Sequence, residues 1–346
     1  MATHLFLAST PFNMLTSAMV AFELPPGDVA YLGLIDQPDM QRPFVAALHE
    51  WPESPFAQTL LLSQQAKGKG KRQQRQSAFE KIAQLVDEVK PDKIYTGNDR
   101  RIEFQYAMQH IRKSNKGSIG IYIDDGTYSY LGRETHWLKD KILDNLVKKL
   151  SYGLWWQQPS TIGASNWICQ AILAFPESAV PELQQKTCTA LPENLQRVEF
   201  EHLAQLCLNI FDYSVDKLMD IDALVLLPHT SVATDQTKNK LSYWLANRGA
   251  KISFKHHPRT VLTNDWGDKE AWLIPQQALQ IPAGIPMEVL LPLLQPTCQL
   301  AGDVSTALLT AKWLRPELEV TAFATANTST HWLDLLNLLK IKIESV

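Results

Sequence analysis

The chain has 346 residues, with 33 Lys and Arg against 36 Asp and Glu, a formal net charge of −3. That balance excludes a protein built to coat nucleic acid, and a hydrophobic share of 45% excludes a largely disordered chain. Cys169, Cys188, Cys207 and Cys298 stand far apart with no Cys-x-x-Cys pair, which excludes a zinc ribbon and a small disulfide-stapled fold and fits a reducing compartment.

At this length two domains are the natural expectation. The apolar stretch Leu5–Leu24 is broken by Ser9, Thr10, Pro11, Asn13, Thr16 and Ser17. It also lacks a basic leader, so it reads as neither a membrane span nor a secretory signal. The expectation is a strand at Thr3–Ala8, a loop at Ser9–Asn13 and a helix at Met14–Leu24. Further strands are expected at Val29–Ile35, Thr59–Leu62, Lys93–Thr96 and Ser118–Ile123, then at Ala223–Leu227, Lys251–Lys255, Cys298–Ala301 and Leu318–Phe323. Runs such as Ala223–Leu227 are continuously apolar, as in parallel strands covered on both faces. Helices fit between them at Ser77–Val89, Arg101–Arg112, Thr237–Asn247 and Val304–Leu314.

Two such series predict an α/β protein with two Rossmann-like domains, their parallel sheets facing a central cleft. The domains are expected at 1–175 and 176–325. A final helix in 326–346 can cross back to the first. The basic run Lys67–Arg75 reads as a loop or solvated helix entry. Between Trp137 and Trp156, apolar residues recur every four positions among Lys139, Lys141, Lys148 and Lys149, the pattern of an amphipathic helix. Its ordinary role is packing on its own domain, and its alternative is peripheral contact with a membrane surface.

Four sites place polar residues after a strand, where open parallel sheets bind ligands. Asp124-Asp125-Gly126 follows Ser118–Ile123; crowded carboxylates raise the pKa of one member, as a general base requires, although the same tripeptide also makes an ordinary turn. Lys255-His256-His257-Pro258-Arg259 is a cationic cluster suited to phosphate or carboxylate, or else a basic surface loop. Asp303-Val304-Ser305-Thr306 precedes a helix, giving an anion site or a plain cap with Asp303 as the N-cap. Pro286 and Glu288 open a short helix through Leu294, and a carboxylate there can accept from both hydroxyls of a ribose. Asp220-Ile221-Asp222 precedes a strand and reads as a helix-end turn.

In order and placement these motifs resemble those of bacterial sialyltransferases that use CMP-sugars, in glycosyltransferase families 52, 80 and 38. The matching residues are Asp124-Asp125-Gly126, His257-Pro258, Pro286 with Glu288, and Ser305-Thr306, with Ser9–Asn13 similar to the N-terminal loop. Two positions depart from the pattern: His256 stands where Gly is common, and Thr306 replaces a second Ser. The resemblance implies a GT-B architecture, no cofactor, no metal, and inverting transfer of a nonulosonic acid, foremost sialic acid, from CMP to a hydroxyl of a surface glycan or glycolipid. It makes Asp124 the general base and His257 the phosphate contact, helped by Ser305 and Thr306. Lys255 and Pro258 lie with the donor, and Glu288 holds the ribose. Asp125, Gly126, Thr10 and Asn13 support the acceptor side. CMP is a good leaving group, so fixed donors around its phosphate suffice, and base assistance is worth ~10²–10⁴ in rate.

The expected location is cytoplasmic, peripheral at the inner membrane if the basic run and amphipathic helix meet a lipid-linked acceptor. Transfer of Kdo, pseudaminic or legionaminic acid is the near alternative. From other classes come a metal-dependent hydrolase using Asp124, Asp125, His256, His257 and Asp303, and a non-catalytic glycan-assembly protein.

Overall fold

The computed structural model describes residues 1–39, 42–65, 68–132, 148–149, 152–227, 235–246, 251–256 and 278–345, without the side chains at 69, 237 and 238. The strands among them form two sheets, and every ladder in both is parallel. The chain divides into two compact units, 1–42 with 52–194 and 43–51 with 195–346.

The first sheet runs β3-β2-β1-β4-β5-β6-β7, with β1 Thr3–Ala8, β2 Val29–Leu34, β3 Gln58–Leu61, β4 Lys93–Thr96, β5 Ile119–Ile123, β6 Ile168–Leu173 and β7 Thr187–Ala190. Leu5, Phe6, Leu7 and Ala8 in β1 are all buried, so the run has no polar face to alternate with. Strand order reverses between β1 and β4, which opens the switch-point crevice at their carboxyl ends. Among the helices of this unit are α1 Pro11–Ala21, α3 Lys71–Val89, α4 Ile102–Ser114 and α5 Tyr128–Leu131. The helix α2, Arg42–Glu50, belongs almost wholly to the second unit, where the Trp51 indole after it donates to the Glu199 carbonyl at 3.0 Å.

The second sheet runs β10-β9-β8-β11-β12-β13, with β8 Ala223–Leu226, β9 Ile252–Lys255, β10 Leu279–Ile281, β11 Gln299–Asp303, β12 Glu319–Ala324 and β13 Lys342–Ser345. Its order reverses between β8 and β11. There Gly302 is closely approached: a Cβ would stand 2.8 Å from the Leu226 carbonyl oxygen.

Several boundaries differ from the sequence expectation for identifiable reasons. The stretch Ser9–Asn13 is not all loop, because the Thr10 hydroxyl accepts from Asn13 N at 3.2 Å and Pro11 starts α1 at once. The first sheet continues past 175, since β6 and β7 pair alongside β5, and its unit ends at Asn194. The C-terminal segment does not stop at a helix: after Thr330–Leu338 it adds β13 to β12 within the second unit. The helix after Pro286 is α-helical only through Leu290, then tightens to a 3₁₀ turn at Leu291–Leu293, where Pro292 supplies no N–H. Of the basic run 67–75, residues 71–74 form an exposed helix entry and position 67 lies outside the described residues. Positions 137–147 and 150–151 of the expected amphipathic helix lie outside the described residues. No helix among the described residues is long and apolar enough to cross a membrane.

Candidate functional site

The carboxyl end of β5 leads straight into Asp124 and Asp125, and the structure gives the two neighbours opposite fates. Asp124 is 1% exposed. Its Oδ1 accepts from Gly126 N at 2.9 Å and Ser129 Oγ at 2.7 Å, and its Oδ2 accepts from Ala174 N at 3.0 Å and from the Tyr130 hydroxyl. Burial raises its pKa while these bonds pull the other way. Four donors occupy the lone-pair positions of one carboxylate, so Asp124 ties α5 and the start of the segment after β6 to the end of β5. Gly126 makes this cradle with φ at +96°, a conformation that glycine adopts without strain.

Asp125 points elsewhere. Its Oδ1 accepts from Asn13 Nδ2 at 2.8 Å, and the side chain is only half-buried. Burial pushes its pKa up to about 7, with the Asn13 bond and the Arg101 charge opposing and the Asp124 charge adding to the rise. Asn13 comes from the first turn of α1, capped by Thr10, and lies against Gly97 just after β4. A Cβ at Gly97 would fall 2.1 Å from Asn13 Nδ2, so only glycine lets the amide lie there. The Asn13 Oδ1 is buried and has no hydrogen-bond partner among the described residues. The ends of β1, β4 and β5 thus assemble a half-buried carboxylate held by a buried amide at the switch-point crevice. Gly97 was missed from the sequence, although a glycine directly after a strand is the signal for a close approach.

In the second unit Lys255 closes β9 and is 4% exposed. Its Nζ donates to the Ala283 carbonyl at 2.9 Å; burial lowers its pKa to about 8, with the Glu288 and Cys207 charges opposing. Glu288, on the short helix Met287–Leu290, has its pKa raised by burial. His256 is buried with its ring edge-on to Phe254, and burial lowers its pKa, as does the Lys255 charge. His257, Pro258 and Arg259 lie outside the described residues.

Beside this cluster β11 runs through Asp303, so Asp303 is a strand end, not the expected N-cap; burial raises its pKa. Ser305 takes the N-cap of the helix Thr306–Leu314 and makes no side-chain cap bond. The first helical bond there is from Leu309 N to the Ser305 carbonyl. The N–H groups of the first turn therefore receive no bond from the Ser305 side chain, and a helix start of this kind favours an anion. Asp220 caps the helix Val215–Met219 at its C-terminus, the expected turn.

Among the described residues no group of three His, Cys, Asp or Glu side chains is placed to hold a metal ion. Asp99, fully buried, is also structural: it accepts from Gly163 N at 2.8 Å and Ser165 N at 2.7 Å and holds that loop against the start of α4.

No family model matches the sequence, and no curated protein is similar to it in sequence. Solved structures are similar in fold. UDP-GlcNAc 2-epimerase of Methanocaldococcus jannaschii superposes with a TM-score of 0.54 at 11% identity, covering 100% of this chain and 89% of that one. The Neisseria meningitidis UDP-GlcNAc 2-epimerase, bound to UDP-GlcNAc, gives 0.54 at 10% identity over 98% and 86%. MurG of Acinetobacter baumannii gives 0.43 at 11% identity over 99% and 86%. The chain has the two-sheet α/β fold of the GT-B kind, the fold class expected from its sequence.

Proposed function

We propose that the chain is a nucleotide-sugar glycosyltransferase in which Asp125, not its neighbour Asp124, takes the proton from the acceptor hydroxyl. The observation that carries this is the contrast within one dipeptide. Asp124 is enclosed by four donors, whereas Asp125 is partly accessible, has one donor among the described residues, and has its pKa raised to about 7. A base poised near neutrality maximises both its deprotonated fraction and its proton affinity. The buried Asn13 amide orients the Asp125 carboxylate through its single donated bond, and Thr10 and Gly126 set the backbone that holds both groups.

For the donor, the proposal keeps the CMP-activated nonulosonate implied by the motif order. Ser305, Thr306 and the helix N-terminus are assigned to the phosphate, with His257 and Pro258. Lys255 and Glu288 are assigned to the nucleoside. Direct displacement inverts the anomeric centre. Negative charge grows on the departing phosphate, where fixed N–H and O–H groups are most effective.

The test is a donor screen scored for nucleotide release, with CMP-sialic acid, CMP-Kdo, CMP-pseudaminic and CMP-legionaminic acids, and UDP-GlcNAc, each with and without glycan acceptors. Acceptor-dependent CMP release, with kcat/KM rising through about pH 7, is the expected result. Turnover of UDP-GlcNAc with every CMP-sugar untouched overturns the donor assignment. Replacing Asn13 by Ala removes a bond that lowers the Asp125 pKa, so the acid limb should move to higher pH; an unmoved limb removes Asp125 from the role.

A further inference from the structure

Among the described residues only two Phe, Tyr or Trp side chains are exposed, Tyr128 at 46% and Tyr243 at 71%. Tyr243 stands in the second unit, on the helix Asp235–Ala246. Tyr128 stands three residues after Asp125 and opens α5. A single exposed aromatic on a loosely held surface needs no explanation, but α5 is firmly held. A helix of four residues has no stability of its own, and this one is tied down by the two residues that follow Tyr128. The Ser129 hydroxyl donates to Asp124 Oδ1 at 2.7 Å and lies 2.9 Å from the Tyr122 hydroxyl, while the Ser129 carbonyl accepts from Val180 N at 2.9 Å. The Tyr130 hydroxyl donates to Asp124 Oδ2. Turn bonds of 3.1 Å, from Ser129 N to the Gly126 carbonyl and from Tyr130 N to the Thr127 carbonyl, close the chain between Asp125 and α5.

Burial divides this segment sharply. Tyr122, Ile123 and Asp124 are buried, Asp125, Gly126 and Thr127 are partly accessible, Tyr128 is exposed, and Ser129 is buried again. The accessible residues therefore run without a break from the candidate base to an aromatic ring, across three residues that span at most ~11 Å. The Tyr128 side chain makes no hydrogen bond or ring contact among the described residues. We propose that Tyr128 is the platform on which a pyranose ring of the acceptor stacks while one of its hydroxyls meets Asp125. A pyranose carries hydroxyls round its rim and C–H groups on its faces. Those C–H groups suit the negative face of an aromatic ring, and the rim suits a carboxylate that accepts hydrogen bonds. Asp124 fixes the backbone of α5 before any sugar arrives, which lowers the ordering cost of binding. Tyr128 thus determines specificity, selecting a ring with an open C–H face over an open-chain polyol. This assignment deepens the transferase reading and rests on it for its purpose, but its measurement needs no donor.

The experiment is saturation-transfer NMR with methyl β-galactoside, methyl β-glucoside and methyl β-N-acetylglucosaminide, and with glycerol as the open-chain control. It compares the wild-type chain with Tyr128→Ala and Tyr128→Phe, which should all melt at the same temperature because an exposed side chain adds little to folding. The wild type should saturate the ring C–H protons of at least one glycoside and leave glycerol untouched. Tyr128→Phe should keep that signal, and Tyr128→Ala should bind the glycoside about fivefold or more weakly, as expected from losing an aromatic anchor. No glycoside bound by the wild type, or an affinity unchanged in Tyr128→Ala, overturns the proposal. So does a signal lost in Tyr128→Phe, which would assign recognition to the hydroxyl instead of the ring. Where the donor screen succeeds, Tyr128→Ala should raise the acceptor KM by the same factor with kcat and nucleotide affinity unchanged. Should the donor screen fail while glycoside binding depends on Tyr128, the transferase reading falls and this platform stands; transfer with an unmoved acceptor KM gives the reverse.

Discussion

At the carboxyl edge of the first sheet, the chain places a half-buried carboxylate, held by the buried Asn13 amide, in the switch-point crevice. At the same edge of the second sheet, it places a buried lysine and an uncapped helix N-terminus. Both edges come from the same βα construction, in which polar residues follow apolar strands and glycines allow backbone or amide to approach closely. Topology fixes where a ligand can sit in each unit, and the residue immediately after the strand decides which charge it meets. The first edge is suited to receiving a proton and the second to stabilising an anion, the two tasks that the proposed transfer would separate.

The most direct way to break this comparison is to remove the carboxylate. Asp125→Asn keeps the shape and the proximity to Asn13 but cannot take a proton. The expected loss in kcat is ~10²–10⁴, with nucleotide affinity unchanged. A variant with full activity would leave the first edge without its base.

Next in size is the neighbouring residue. Asp124→Ala strips the acceptor from Ser129, Tyr130, Gly126 N and Ala174 N at once. Buried donors left unpaired cost about 1–3 kcal/mol each, and partial rehydration brings the expected destabilisation to about 3–5 kcal/mol. Chemical denaturation checks it. A loss under 1 kcal/mol together with abolished catalysis would return the base role to Asp124 and erase the contrast.

That contrast shows how far the sequence could be read. The strands β1, β5 and β8 were legible because strands covered on both faces are contiguous apolar runs. The strands β6 and β7 were not, since Cys169 and Gln170 interrupt the one and Thr187–Ala190 is a mostly exposed edge. The same holds for β13, whose Lys342 and Glu344 give no apolar run. At the site, Asp-Asp-Gly after a strand was legible as a motif, but the division of labour was not. It depends on Ala174 N, fifty positions away, and on Asn13, 112 positions away, reaching different members of the pair. A cavity of about 310 Å³ in the first unit was invisible for the same reason: Arg75, Arg100 and Lys148 line it from three separate segments.

The raised pKa of Asp125 also makes a stability prediction. In the unfolded chain this carboxyl ionises near its ordinary 3.8, and in the folded chain near about 7. Between those values the folded state binds the proton more tightly, so folding loses stability as pH rises from about 4 to about 7. The full shift would correspond to about 4 kcal/mol; because the side chain is partly exposed, solvent screening brings the expected cost to about 1–2 kcal/mol. Asp125→Asn should therefore be more stable than the wild type by about that amount at pH 8, and the gap should close as the pH falls to 4. A gap independent of pH would mean that the carboxyl is not strained by burial.

The smallest effect sharpens the second edge. Most of the anion attraction there comes from backbone N–H groups in the first turn of Thr306–Leu314, which no side-chain substitution removes. The Ser305 hydroxyl adds one hydrogen bond to that set. Ser305→Ala should therefore weaken nucleotide binding by about 0.5–1.5 kcal/mol, roughly 2- to 13-fold, and should leave the folding stability within a few tenths of a kcal/mol because the hydroxyl makes no cap bond to lose. A typical capping serine would behave in the opposite way, losing about 1 kcal/mol of stability with no change in nucleotide affinity. Measuring both quantities on one variant thus separates a hydroxyl held ready for a phosphate from one that merely starts a helix.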